Sequence, residues 1–492
     1  MFLFIFIAVP LVVAGFLPIA SRVSKKFLPD FLANLCLVIL VAASITTFKL
    51  WPGAGSFSHK IFWFGDSLNI SVVLDGLSLL MIFIISSISL AVGLFSIDYM
   101  DKYGSRAIYY AMFLVLVAAT NGIVLTSDLF TMYIFIEAAG LASYGLVSLG
   151  KTRDSTEGAF KYLILSAVAS SFILLGIALI FLTTGTTNIK EIASVSRLVP
   201  KLSVILFLAG FGLKSGLVPF HFWMPDAYTG APAVLPALSS GVFVKVAGVY
   251  AMSRVFFNVI GFGYNISSLL VYLGIISILV GALLALGQTR LKRLLAYSSI
   301  SQVGYIFLGI GTGTPLGIIG GLLHLFYHSI FKSLLFLNAG AVEYATQTDE
   351  STELGGLGAK MPFTSTTNVI GLLSAAGVPP LNGFWSKLII VIALIQIKMY
   401  FYAFIAIFAS VLTLWYLLLI QRRVFFGKLK EQCENAGEIP FWMNLSLVGL
   451  ALACFWTGVV FAPVILKWIL PAANVLVEGI RSSINTFIIG GS

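Results

Sequence analysis

Long apolar runs alternate with short polar gaps through almost the whole chain. Runs of membrane-spanning length fall near 2–20, 31–50, 72–97, 107–127, 129–149, 160–184, 202–221, 232–257, 264–287, 294–311, 316–342, 363–396, 399–420 and 442–466, fourteen in all. Each supplies close to the 20 or so residues that a helix needs to cross a hydrocarbon core. The run 363–396 is too long for one straight span, and Gly377-Val378-Pro379-Pro380 interrupts it, which predicts one span built from two half-helices. A weaker run, Ile465 to Ile489, reads as a helix lying along the surface. The pattern predicts an all-α, polytopic membrane protein with about 14 transmembrane helices.

The seventh run is also interrupted. From Phe211 it reads FGLKSGLVPFHFW, with Lys214 between two glycines and Pro219 five residues on. A charged lysine at membrane depth costs about 3 kcal/mol or more. A proline there frees a backbone carbonyl that lipid cannot satisfy. A kinked helix with a snorkelling lysine is the bland reading. A helix broken at a functional site is the sharper one.

Composition narrows the class. Of 492 residues 59% are hydrophobic and 10% charged, with mean hydropathy +1.04, which excludes a soluble globular protein. The net charge of +10 does not point to nucleic acid, because Lys and Arg sit mostly in the short gaps. With Lys49, Lys161 and Arg254 assigned to their nearest gaps, odd-numbered gaps hold 16 Lys or Arg, even-numbered gaps and the C-terminal stretch hold nine, and four lysines lie within spans. That bias predicts odd gaps in the cytoplasm and both termini outside. The N-terminal run has no basic residue before it and is followed by Arg22, Lys25 and Lys26, so it reads as an uncleaved first helix. Cys36, Cys433 and Cys454 form no CxxC.

Several ionisable residues fall inside spans. Glu137 lies nine residues past Asp128, about 13 Å of helix, hence near the midplane. It is either a protonated, hydrogen-bonded carboxyl or the partner of a buried lysine such as Lys214. Lys245 sits mid-span in GVFVKVAGVY with no acid near it in sequence, the setting in which a lysine can give up and regain a proton. The eleventh run carries HLFYHSIFKSLLFLNAG, in which His324, His328 and Lys332 are spaced by four and share one helix face. Such a ladder can pass protons, or can simply hydrogen-bond to neighbouring helices. His-x-x-x-His is also a metal-ligand spacing, but no acid lies between the two, and no further His or Cys is placed to complete a shell, so no metal is expected. Lys387 follows the second break in GVPPLNGFWSK, where carbonyls freed near the prolines could hold water within its reach. Asp75 reads as a helix-end hydrogen bonder and Asp226 as a loop anchor. No nucleophile–base pair, phosphate loop or cofactor motif is present.

The two interrupted spans lie five apart, and each has a lysine near its break. An odd offset makes the copies antiparallel, so they suggest an inverted repeat with a central site. The expected organisation is helices 1–3 over 1–103, a first repeat (helices 4–8) over 104–258, a second (helices 9–13) over 259–425, and helix 14 with the C-terminal segment over 426–492.

The chain resembles the proton-translocating antiporter-like subunits of respiratory complex I, of Mrp-type sodium/proton antiporters and of membrane-bound group 4 hydrogenases. The motifs that carry this are DGLSLLM (75–81), the fifth-span glutamate, LKSGLVPFHFWMPDA (213–227), LLAYSSISQVGY (294–305), the His-His-Lys ladder with its trailing KSLLFLNAG, and GVPPLNGFWSK (377–387). The resemblance implies fourteen helices with two inverted five-helix repeats and broken seventh and twelfth helices. It places the family's coupling glutamate on Glu137, its channel lysines on Lys214 and Lys245, its connecting residues on His324, His328 and Lys332, and its exit-side residue on Lys387. Some members have glutamate at the last position. A long C-terminal lateral helix, present in one subunit type of the family, is not expected here, which points away from the largest member and to the D-type or middle type among these subunits. The implied function is proton translocation, with or without sodium antiport. The chain would be a non-redox subunit of an oxidoreductase or antiporter complex, without a cofactor, in the inner or plasma membrane beside other membrane subunits. A stand-alone secondary transporter of a small anion, and a purely architectural subunit, are the rival readings.

The charge bias makes the 290–293 gap cytoplasmic and the N-terminus external. Cysteines placed singly at Thr289 and at Phe2 should therefore label from opposite sides of oriented vesicles with an impermeant reagent. Labelling of both from one side contradicts the fourteen-span topology.

Overall fold

The computed structural model describes residues 2–51, 57–64, 68–261 and 263–489. Its helices are α1 (Ile5–Val23), α2 (Phe27–Leu50), α3 (Gly76–Tyr99), α4 (Arg106–Leu125), α5 (Leu129–Ser148), α6 (Arg153–Thr184) and the short α7 (Ile189–Ser194). The first broken span is α8 (Lys201–Ser215) followed by α9 (Trp223–Gly230). Then come α10 (Val234–Ile260), α11 (Tyr264–Leu286), α12 (Leu291–Gly311) and α13 (Pro315–Thr346). The second broken span is α14 (Pro362–Ala376) with α15 (Asn382–Gln396), and α16 (Tyr400–Phe425) and α17 (Phe441–Val459) follow. The last helix, α18, joins Phe461–Val464, a π turn Ile465–Ile469 and Leu470–Ile489.

Among the described residues, thirteen helices are long and apolar enough to cross a bilayer. Twelve are the unbroken spans expected from the hydrophobic pattern, and the two broken spans bring these to fourteen. The thirteenth is Phe461–Ile480, which lies across the bundle. Phe461 stacks on Trp385 of α15, Trp468 packs on Phe48 and Phe83, and Asn258 at the end of α10 donates to the Val475 carbonyl at 2.9 Å.

The core is built around α10, buried from Val234 to Phe257, with α12 and α13 nearly so. Small residues allow the close packing. A Cβ on Gly248 of α10 would lie 2.5 Å from the Ser215 Cα at the end of α8. Residues Ser239–Tyr250 of α10 are π-helical, which the hydrophobic pattern does not signal. The apolar run at 72 also overshoots. Leu68–Leu74 is a strand paired antiparallel with Phe57–Phe64, and α3 starts only after Asp75, whose carboxylate caps it by accepting from the Ser78 N–H at 2.9 Å.

Both broken spans close in the same way. Gly216 and Gly377 adopt left-handed backbone, at φ +69° and +84°. The next amides, of Leu217 and Val378, bond back to the carbonyls of Gly212 and Leu373 at 3.1 and 3.0 Å. The lysines, however, sit on opposite sides of their breaks. Lys214 comes two residues before its glycine, and Lys387 ten residues after.

The end of the bundle bearing 154 and 290 is laced with ion pairs. Asp226 anchors α9 to Lys161 of α6 at 2.8 Å and to Arg293 of α12 at 2.7 Å. Arg290 bridges Asp154 and Asp349 at 2.7 and 3.1 Å.

Gly248→Ala should lower thermal stability in detergent by about 1–3 kcal/mol, because the added methyl forces α10 away from α8. Gly449→Ala in α17, where the methyl meets open space, should leave it unchanged. Equal melting of the two variants would show that the α8–α10 contact is not tight.

Candidate functional site

The sequence-predicted residues fall into two groups, the Glu137–Lys214 pair and the set from Lys245 to Lys387, with α8 packed closely on α10 between them. Glu137 of α5 lies with its Oε1 3.7 Å from Lys214 Nζ. Two serines of α6, one turn apart, hold this pair: Lys214 donates to Ser166 Oγ at 2.6 Å, and Ser170 donates to Glu137 Oε1. Lys214 is buried, while the Glu137 side chain is 35% exposed. That exposure falls on a stripe of α5, with Phe130, Ile134 and Leu141 exposed on the same face.

The break after Lys214 is satisfied by protein. Trp223 Nε1 donates to the Leu213 carbonyl at 2.8 Å, and the Val218 N–H donates to Ser277 Oγ of α11 at 3.0 Å. The same loop is thus tied to the second half of the chain.

Lys245 is fully buried in the π-helical stretch and donates to the Ser240 carbonyl of its own helix. Ser240 Oγ meets Ser299 Oγ of α12 at 3.0 Å. Ser299 Oγ and Lys332 Nζ both donate to the Leu295 carbonyl, at 2.9 and 3.2 Å. Lys245 and Lys332 are therefore joined through two serines and a shared carbonyl rather than through an acid.

The ladder on α13 is uneven. His324 has both ring nitrogens engaged, Nδ1 with Ser386 Oγ at 2.9 Å and Nε2 with Gln302 Oε1 at 3.1 Å. The rings of His324 and His328 are 6.2 Å apart, and the His328 nitrogens have no hydrogen-bond partner among the described residues. Beyond Ser386, Lys387 donates to the carbonyls of Ala375 and Ala376 at 2.8 and 3.3 Å and to Ser410 Oγ at 3.1 Å. It also lies 4.7 Å from the Tyr305 ring centre. The carbonyls freed by the second break are taken by the lysine itself, where the sequence suggested water within its reach.

Chemically, these are groups that can each bind and release a proton, separated by hydroxyls and an amide that donate and accept and by backbone carbonyls that only accept. The sequence reading missed Ser166, Ser170, Ser240, Ser299, Gln302 and Ser386, because a serine in a helix is usually a back-bonded structural residue. It also missed the buried pair in which Arg254 of α10 meets both carboxylate oxygens of Asp75 at 2.8 Å, having read Arg254 as a gap residue. The spacing of Ser166 and Ser170 by four was the one available signal for the first two.

Residues 126–413 match the family model described as NADH:quinone oxidoreductase/Mrp antiporter, TM, and residues 63–110 match that of NADH-ubiquinone oxidoreductase (complex I), chain 5 N-terminus. The chain is 32% identical over 403 residues to the D-type subunit of a Na(+)/H(+) antiporter of Alkalihalophilus pseudofirmus, covering 80% of this chain and 81% of the relative. It is 32% identical over 420 residues to the N-type subunit of an NADH-quinone oxidoreductase of Desulforudis audaxviator, covering 83% of each. A chain of the Mrp complex from Dietzia superposes with TM-score 0.90 at 26% identity, covering 98% of both chains. A chain of an archaeal membrane-bound sulfane sulfur reductase superposes with TM-score 0.87 at 28% identity, covering 98% of this chain and 99% of the other. These matches, and the motifs that run from the third to the twelfth span, place the chain in the family of NADH:quinone oxidoreductase and Mrp antiporter membrane subunits.

Proposed function

We propose that this chain is a proton-translocating membrane subunit of a multisubunit complex, with no redox chemistry of its own. The observation that carries the reading is the set of buried ionisable groups from Lys214, paired with the partly exposed Glu137, to Lys387. Protons enter near Glu137 and Lys214, pass by Lys245 to His328, Lys332 and His324, and leave past Lys387. His328, with no protein partner among the described residues, is where water has to complete the path. Glu137 and Lys214 act through distance: drawing them apart removes a Coulomb attraction that holds the lysine's proton.

The exposed part of Glu137 favours a complex over a stand-alone anion transporter. A carboxylate on an otherwise apolar, outward stripe of α5 is costly against lipid, so this face suits a neighbouring protein subunit. The relatives and structural neighbours named above belong to Mrp, quinone oxidoreductase and sulfur reductase assemblies. Within this reading the chain divides into helices 1–3, repeats over 104–258 and 259–425, and a C-terminal part. The cation-rich gaps face the cytoplasm, both termini lie outside, and the membrane is the inner or plasma membrane. The matched closing bonds of the two breaks support the repeat, while the unmatched positions of Lys214 and Lys387 give the halves different roles.

Glu137→Gln and Lys214→Ala should each lower coupled proton transport by about tenfold or more while the subunit still assembles. Ser166→Ala, which removes a neutral hydrogen-bond acceptor of Lys214 and leaves both charges in place, should have a smaller effect. Proton uptake by inverted vesicles, with assembly followed by native gel, measures this. Near-normal pumping in both charge variants removes the pair from the path.

Lys245 tests the chemistry of the path itself. Arginine keeps its proton under all accessible conditions. Lys245→Arg should therefore block translocation about as fully as Lys245→Ala, although the charge is kept. If arginine supports wild-type pumping, Lys245 is a fixed electrostatic element, and the path through α10 is wrong.

A further inference from the structure

At the end of α16 an open pocket of about 770 Å³ is formed where the loop after the helix folds against the segment before α14. Four cations line it, Arg422, Arg423, Lys428 and Lys430, and among the described residues no acidic side chain does. Arg422, Arg423 and Lys428 have no acidic partner within ion-pair distance among the described residues. Lys430 donates to the Thr352 carbonyl and so fixes one wall. The walls are closely packed. The Gly356 N–H donates to the Phe426 carbonyl at 3.3 Å, and a Cβ on Gly356 would lie 2.6 Å from the Leu429 Cα. Ser351 also lines the pocket, is 1% exposed, and has a hydroxyl with no partner among the described residues.

Unpaired cations beside an unpaired buried hydroxyl recognise a phosphate. What surrounds the pocket says which kind. The outward face of α16 runs down from it as an exposed apolar stripe, with Leu418, Trp415, Val411, Phe408 and Phe404 each at least 44% exposed. The pocket itself includes the apolar Leu419 and the exposed Phe426. Charge at the membrane border above an apolar stripe matches a headgroup above its acyl chains. We propose that this pocket holds the headgroup phosphate of an anionic phospholipid, with its chains along α16. The site is separate from the Glu137-to-Lys387 line and does not depend on what that line carries.

The test uses the purified full-length chain in detergent, with lipid retention read by native mass spectrometry. Phosphatidylglycerol and phosphatidylcholine of identical chains are added in turn. The wild type should retain phosphatidylglycerol preferentially. Arg422→Gln with Arg423→Gln, both on exposed positions, should weaken that binding roughly 30-fold and leave phosphatidylcholine binding unchanged. Lys360→Gln, an exposed cation outside the pocket, should change neither. Three results overturn the proposal: equal retention of the two lipids by the wild type, an equal loss in Lys360→Gln, or displacement of the lipid by millimolar inorganic phosphate, which would make this a site for a soluble anion. Circular dichroism of the double variant confirms that any loss is not unfolding.

Discussion

A hydrocarbon core supplies no hydrogen bonds, so every polar group at membrane depth must be answered from within the protein. Much of this structure follows from that constraint. Two spans are broken, and each break leaves amides and carbonyls that a continuous helix would have paired. At the first, Trp223 and Ser277 supply the missing partners. At the second, Lys387 reaches back to the carbonyls of Ala375 and Ala376. Both breaks thus have these polar groups answered within the protein, while Pro219, Pro379 and Pro380 themselves are exposed. The breaks bring irregular backbone and lysines into the same interior, and this is where groups able to exchange protons collect.

The interior line is held mainly by neutral groups. Of its lysines, Lys214 has a carboxylate within ion-pair distance, at 3.7 Å; the lysine also donates to Ser166 Oγ, while the carboxylate accepts from Ser170. Lys245, Lys332 and Lys387 rest on backbone carbonyls and serines. A lysine bonded to a carbonyl keeps its hydrogen-bond geometry without a fixed counter-charge, so its proton is not locked by an ion pair. Contrast the Asp75–Arg254 pair, bidentate and buried on the same α10 helix, which ties the start of α3 to the end of α10. One helix thus carries a buried ion pair at one end and, at its middle, a buried lysine without an acidic partner among the described residues. The π-helical stretch with Gly241 and Gly248 lets it pack tightly against α8 and α13.

The outside of the bundle is not uniform either. Most exposed positions are apolar, as lipid requires. The face around Glu137 departs from this with a partly exposed carboxylate, and the end of α16 departs from it with unpaired cations.

Hydropathy alone determined the helices, because spanning length and apolarity are local properties of the chain. It likewise located both breaks, since proline and glycine act on the backbone where they stand. The in-span charges Glu137, Lys214, Lys245, His324, His328, Lys332 and Lys387 were legible for the same reason: a charge within an apolar run is conspicuous. What the sequence could not determine was which groups lie between them. Ser166, Ser170, Ser240, Ser299, Gln302 and Ser386 look like many other polar residues in helices, and only the packing of α6, α10, α12 and α15 brings them among these groups. Arg254 read as a gap cation because the end of a span cannot be told from its flank without knowing that Asp75 waits across the bundle. The course of Phe461–Ile489 was legible only in part for a related reason. Apolarity says that a helix will be buried in lipid or protein, whereas its direction across α3 and α10 is set by Trp468, Pro471 and Asn258, contacts between residues hundreds of positions apart.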